Sequence, residues 1–160
     1  MVGACSDAPE NKQEAGLALL EIAERGDVSA LDALLRREAD ADARDSCDWT
    51  PLMKAAINGH ADVVRRLLNA GASVDAVDKG GYTSLMLAAS NNHTGVVELL
   101  LDQGATIDAQ ERTQGFTALI WAAQRGHEET VSLLLRRGAD PTLPDFDGKT
   151  AAAHSKPTAG

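Results

Sequence analysis

Four histidines, two cysteines, a column of aspartates and several arginine pairs are the residues of this 160-residue chain whose types could carry chemistry. Imidazoles and thiols bind metals, and either can take part in nucleophile–base pairs. His60, His93 and His127 recur at nearly even spacing, which puts them at one equivalent position of a repeated unit. Stacked helical units lie about 10 Å apart, too far for two imidazoles to share one metal at bonds of about 2 Å. Each is read as bonding a neighbouring loop, and His154 has no partner in the sequence. Cys5 and Cys47 form no C-x-x-C and no metal-ligand spacing, so they read as free thiols in a reducing compartment. Ser73, Ser84, Ser90 and Ser132 lie in no G-x-S-x-G, and Gly80-Gly81 reads as a hairpin turn, not a phosphate cradle. Asp42, Asp75 and Asp108 cannot converge on one calcium ion at that spacing and read as turn residues bonding nearby backbone. Arg36-Arg37, Arg65-Arg66 and Arg136-Arg137 read as a solvated outer face. No catalytic constellation stands out, so the expectation is a non-enzyme with no metal and no cofactor.

Charge narrows the partners. Lys and Arg total 15 against 24 Asp and Glu, a net of −9, which opposes binding to nucleic-acid phosphate. Residues 1–49 hold 12 acidic and 5 basic side chains, so most of that excess sits at the front of the chain. No apolar run approaches the ~20 residues that cross a bilayer. The first residues lack the basic and apolar regions of a signal peptide, so a cytoplasmic address is expected, with no membrane partner.

The elements that must position these residues repeat. Thr50-Pro-Leu-Met-Lys-Ala-Ala56 returns as Thr83-Ser-Leu-Met-Leu-Ala-Ala89 and as Thr117-Ala-Leu-Ile-Trp-Ala-Ala123, and Thr150 follows one period further on. Thr-Pro reads as an N-cap with proline in the first helical turn. That helix stops at Gly59, Asn92 or Gly126, the residue types that best tolerate a left-handed helix end. A second helix follows, striped by Val63, Val64, Leu67 and Leu68 and their equivalents, and closes on Gly71, Gly104 or Gly138. The remainder of each unit reads as a hairpin turn.

Helix–turn–helix plus hairpin at this period, with T-P-L-M-K-A-A, G-H, V-V-x-x-L-L and G-A, resembles the ankyrin repeat over about residues 16–155. The resemblance implies an all-α solenoid, an ankyrin-repeat stack of helix-turn-helix units with β-hairpin loops. Where the family pattern has a histidine after Thr-Pro-Leu, this chain has Met53, Met86 and Ile120, so its units rely more on apolar packing. The expected organisation is a disordered acidic tail at 1–15 and a repeat domain at 16–160. Within that domain, 16–49 is an N-terminal capping repeat in which Glu38 replaces the closing glycine. Residues 50–82, 83–116 and 117–149 are full repeats, and 150–160 is a partial one. Ala152 occupies its leucine slot, so this end is expected to fray or to be covered by something else.

The resemblance further implies protein–protein binding through a concave groove of hairpins and first helices. The five aromatic residues all fall on or beside that groove: Trp49, Tyr82 and Phe116 immediately precede the repeat threonines, Trp121 lies on a first helix, and Phe146 lies in the last hairpin. Aromatics are enriched as interface anchors. With them, Ile57, Asn58, Lys79, Ser90, Asn91, Gln124 and Arg125 are the candidate partner-contacting residues. The other reading is a small stand-alone inhibitor or immunity-type protein that blocks an enzyme. A monomer is expected, with the thin C-terminal end as the place where a second copy could dock.

Overall fold

The computed structural model describes residues 8–155, with side chains from Lys12 onward. Nine helices occur among them: α1 (Ala8–Arg25), α2 (Val28–Arg36), α3 (Pro51–Ile57), α4 (Ala61–Asn69), α5 (Ser84–Ser90), α6 (Thr94–Asp102), α7 (Ala118–Arg125), α8 (Glu128–Arg136) and α9 (Ala151–His154). They pair as α1/α2, α3/α4, α5/α6 and α7/α8. One row is formed by α1, α3, α5, α7 and α9, each packed on the next, and a second row by α2, α4, α6 and α8.

Local chemistry explains each unit. Thr50, Thr83 and Thr117 are extended, and their hydroxyls accept from the backbone N–H groups of Met53, Met86 and Ile120 at 3.2–3.3 Å. Those three side chains are buried, so apolar packing does occupy the place where the family carries histidine. Leu52, Leu85 and Leu119 face inward beside the small alanines that let helices approach, and Leu67, Leu100 and Leu134 meet them from the second row. Full burial of each such leucine contributes about 2 kcal/mol.

The hairpins form no named strand among the described residues, only an isolated antiparallel bridge between Val77 and Thr83. They are ordered by a carboxylate. Asp45, Asp78 and Asp145 each accept from two backbone N–H groups of their own turn, two and four residues on. The turn before Thr117 is one residue longer, and the carboxylate there is Glu111, one methylene longer. It accepts from the backbone of Thr113, Gln114 and Phe116 and from the Thr113 hydroxyl. Adjacent hairpins are joined by backbone bonds from Lys79 to Cys47, Arg112 to Gly80 and Phe146 to Gln114.

Two expectations about the ends are corrected. Residues 8–15, expected to be disordered, form the first half of α1, an 18-residue helix that packs on α3 and ends at Gly26 in the left-handed region. Residues 1–7 lie outside the described residues. His154, expected to lack a partner, donates Nε2–H to the buried Asp145 carboxylate at 2.7 Å, and its ring meets Phe116 edge-on at 4.8 Å. The four-residue α9 thus covers α7 through a histidine where a leucine was missed.

Candidate functional site

The residues that looked chemical are tied up between repeats. His60, His93 and His127 donate Nε2–H to the carbonyls of Glu24, Ile57 and Ser90, each at 3.0 Å. A carbonyl can only accept, which assigns the proton to Nε2. Asp27 stands at the same position in the first unit and caps its own helix through Ala30 N–H. Asp42, Asp75 and Asp108 bond forward into the next unit, to Ser73, Thr106 and the Asp140 N–H, which corrects the expectation that they bond nearby turns. Two of the outer arginines are also engaged: Arg66 pairs with Asp32, and Arg137 pairs with Asp102 at 2.8 Å. Among the described residues, no three His, Cys, Asp or Glu side chains group to hold a metal ion.

The inner face is different. Met53, Ala76 and Leu87 form a small apolar cluster apart from the main core, and the half-buried Trp49, Ile57 and Tyr82 pack against it. This is where the hairpins lean on the first helices. Trp121 continues the line, 5.9 Å from Tyr82 between ring centroids and 5.0 Å edge-on from Phe116. Its indole N–H is buried with no hydrogen-bond partner. Leaving such a group unpaired costs about 1–3 kcal/mol against the ring's packing on Tyr82 and Phe116.

The candidate residues are therefore not equivalent. Trp49, Ile57, Tyr82, Trp121 and Gln124 are half-exposed, and Arg125 is exposed with its guanidinium carbon 5.9 Å from the Trp121 ring centre. Phe146 is 65% exposed, with its ring lying over Gly115. Lys79 is exposed and donates to the Ser46 carbonyl at 2.6 Å, joining two hairpins. Asn58 and Asn91 are exposed, but each donates to a carbonyl of its own first helix at 2.8 Å, and the half-buried Ser90 hydroxyl donates to the Leu87 carbonyl at 3.0 Å. Phe116 is 3% exposed and so leaves the list of surface contacts: Trp121 covers one side, and His154 the other. Lys54 and Leu87 were missed. They stand four residues after their repeat threonines, as Trp121 does, and that shared offset was the signal available. Lys54 lies 5.0 Å over the Trp49 ring and within 4 Å of Glu24 and Asp45.

Three carboxyls are more acidic than usual: Asp140, held by the Thr142 hydroxyl and backbone N–H, and the hairpin carboxyls Glu111 and Asp145. Burial pushes the Glu111 carboxyl up, but the Thr113 hydroxyl and three backbone N–H donors outweigh it and hold it below 4.5. Burial likewise opposes the charged Asp145. Donation from Lys149 N–H, His154 and Asp147 N–H, together with the positive charge of His154, brings it below 3.8. Glu111 and Asp145 serve hairpin structure.

An open, polar cleft of about 670 Å³ lies between α1 and the first hairpin, lined by Lys12, Leu17, Glu38, Asp42 and Arg44. It brings together no nucleophile with a base. No helix among the described residues is long and apolar enough to cross a membrane.

Paired helices stacked in two rows, with histidine-to-carbonyl and carboxylate-to-hairpin bonds between units, define an all-α repeat solenoid. A family model for ankyrin repeats (3 copies) matches residues 19–111, and a second for ankyrin repeats (many copies) matches residues 88–135. The chain belongs to the ankyrin repeat family. Ankyrin repeats are generally modules for protein–protein interaction and typically not catalytic. Comparison with curated proteins gives no match.

Proposed function

We propose that this protein binds a protein partner in the groove formed by its hairpins and first helices, concave in this family. The observation that supports this reading most is the apolar stripe of the inner face. Trp49, Ile57, Tyr82 and Trp121 are held half-exposed on a rigid stack, and Trp121 carries an unsatisfied N–H. Large rings already fixed by packing lose little freedom on binding. An extended surface suits a protein better than a small molecule, which needs an enclosing cavity. The outer helices are a poorer docking face, because their arginines are partly engaged by Asp32 and Asp102. The chain itself acts as a monomer, and a net charge of −9 directs it away from nucleic acid.

The test uses the partner recovered by a crosslinking pull-down. Removing an interface aromatic from a desolvated contact costs about 2 kcal/mol or more. Trp49→Ala or Tyr82→Ala is expected to weaken binding at least about tenfold while thermal unfolding stays cooperative. Arg65→Ala with Arg66→Ala should change affinity by less than about 1 kcal/mol. If the arginine pair abolished binding and both aromatic changes left it intact, the groove would be the wrong surface.

A further inference from the structure

The cations of the inner face are unevenly satisfied, and this bears on the partner's chemistry. Toward the N-terminal end they are all engaged. Arg25 pairs with Glu21, and Lys54 lies near Glu24 and Asp45. Arg44 donates to the carbonyls of Asp48 and Val77, and Lys79 donates to that of Ser46. From the hairpin that closes the second full repeat into the third, this changes. Arg112 and Arg125 are exposed, and neither side chain makes an ion pair or hydrogen bond among the described residues. The carboxylate nearest in sequence to Arg112, Glu111, is fully buried and bonded into its own turn. Glu128 and Glu129, which open α8, form no ion pair with Arg125.

These two arginines flank the aromatic stripe. Arg112 lies against Gly81, beside Tyr82; a Cβ on that glycine would come within 2.8 Å of Arg112 Cγ. Arg125 sits over Trp121, and Trp121 neighbours Tyr82. A planar guanidinium resting near an aromatic face is restrained and still presents its fork of donors to a carboxylate.

We infer that the partner segment pairs an acidic side chain with an aromatic or large aliphatic one, the carboxylates meeting Arg112 and Arg125 and the apolar side chain resting on Tyr82 and Trp121. This rests on the groove being the binding surface. The chain's net charge of −9 opposes an acidic partner only at long range. Inside the Debye length of about 8 Å at physiological salt, unpaired local cations decide the sign. The engaged cations near α1 offer no such contact, so the preference belongs to the Arg112–Arg125 end.

A phage-displayed random dodecapeptide library, selected on the full chain, tests this. The wild-type chain is expected to enrich peptides carrying Asp or Glu close to Trp, Phe or Leu. The best of them, synthesised, should bind the Arg112→Glu, Arg125→Glu double variant about tenfold more weakly, and wild-type binding should fall as salt rises. Selection on the double variant should turn toward basic peptides. Suppose instead that the peptides show no acidic bias or bind the double variant equally well, while Trp121→Ala still weakens them. Then the groove stands and the acidic preference falls. If nothing is enriched, or if Trp121→Ala and Tyr82→Ala both leave binding intact, both readings fall. Both arginines are exposed, and unchanged thermal unfolding of the double variant confirms that charge alone was altered.

Discussion

At the scale of single residues, four positions carry a backbone cost or a charge that can be weighed. Glu38 and Asp48 sit at positive φ, 59° and 64°, where the later repeats place glycine. A side chain there costs about 1 kcal/mol, so Glu38→Gly should raise stability by about that amount, read as a higher urea midpoint at unchanged slope. Gly59 shows the reverse. Its φ is 73°, and an added Cβ would fall within 2.5 Å of the His93 ring. Gly59→Val should cost more than ~1 kcal/mol, since strain adds to loss of the His93–Ile57 bond. Glu111 spans the long third turn, and Glu111→Gln sets an amide N–H₂ against backbone N–H donors. A loss of about 2 kcal/mol is expected in denaturant unfolding. The pH sign follows from its acidity. The folded carboxyl is held below 4.5, so its stabilisation is complete above that value. It is withdrawn as pH falls through the depressed folded value. Wild type should therefore lose stability in acid more steeply than Glu111→Gln.

Among the elements, α9 is the one whose stability rests on a single bond. Its four residues bury only Ala151, Ala152 is exposed, and the turn is held through His154 on Asp145 and Phe116. Leu135 on α8 stays 43% exposed because no second helix follows α9 among the described residues. Repeat stacks open unit by unit from their weaker ends. Hydrogen exchange should be slowest in α3–α6 and faster from residue 148 onward. His154→Ala should spread fast exchange into the hairpin of residues 145–149 and into α7, where Phe116 loses its cover. Equal protection of α9 in wild type and variant would show that the histidine does not hold this end.

For the whole molecule, the proposed function requires a groove that gives up some stability for binding. Trp121 makes the case, because its indole N–H is buried and unpaired while Leu87 fills the same repeat position without that penalty. Trp121→Leu should leave thermal stability unchanged or raise it by about 1 kcal/mol. The same change should weaken partner binding about tenfold or more. A variant that lost stability and kept affinity would make Trp121 a packing residue and move the anchor elsewhere.

The repeat architecture was legible in the chain because each signal is local. A threonine that caps, a glycine or asparagine that ends a helix in the left-handed region, and leucines at helical spacing need only their own neighbours. All of them return once per unit at a near-constant period. The extra residue of the third unit was visible in that spacing. That Glu111 fills it was not, because the carboxylate's partners lie in the turn's three-dimensional closure. The aromatic line was also readable, but its division was not. Trp49 and Tyr82 stay half-exposed, while Phe116, at the same repeat position, is buried by Trp121 and by His154 of the following unit. The forward bonds of Asp42, Asp75 and Asp108 are of the same kind. Sequence by itself determined which segments become helices and where they cap, since those are short-range choices of backbone geometry. Only the stacking of one unit on the next decided which polar groups are satisfied and which arginines have no partner among the described residues. Burial and pairing depend on neighbours about one repeat away along the chain.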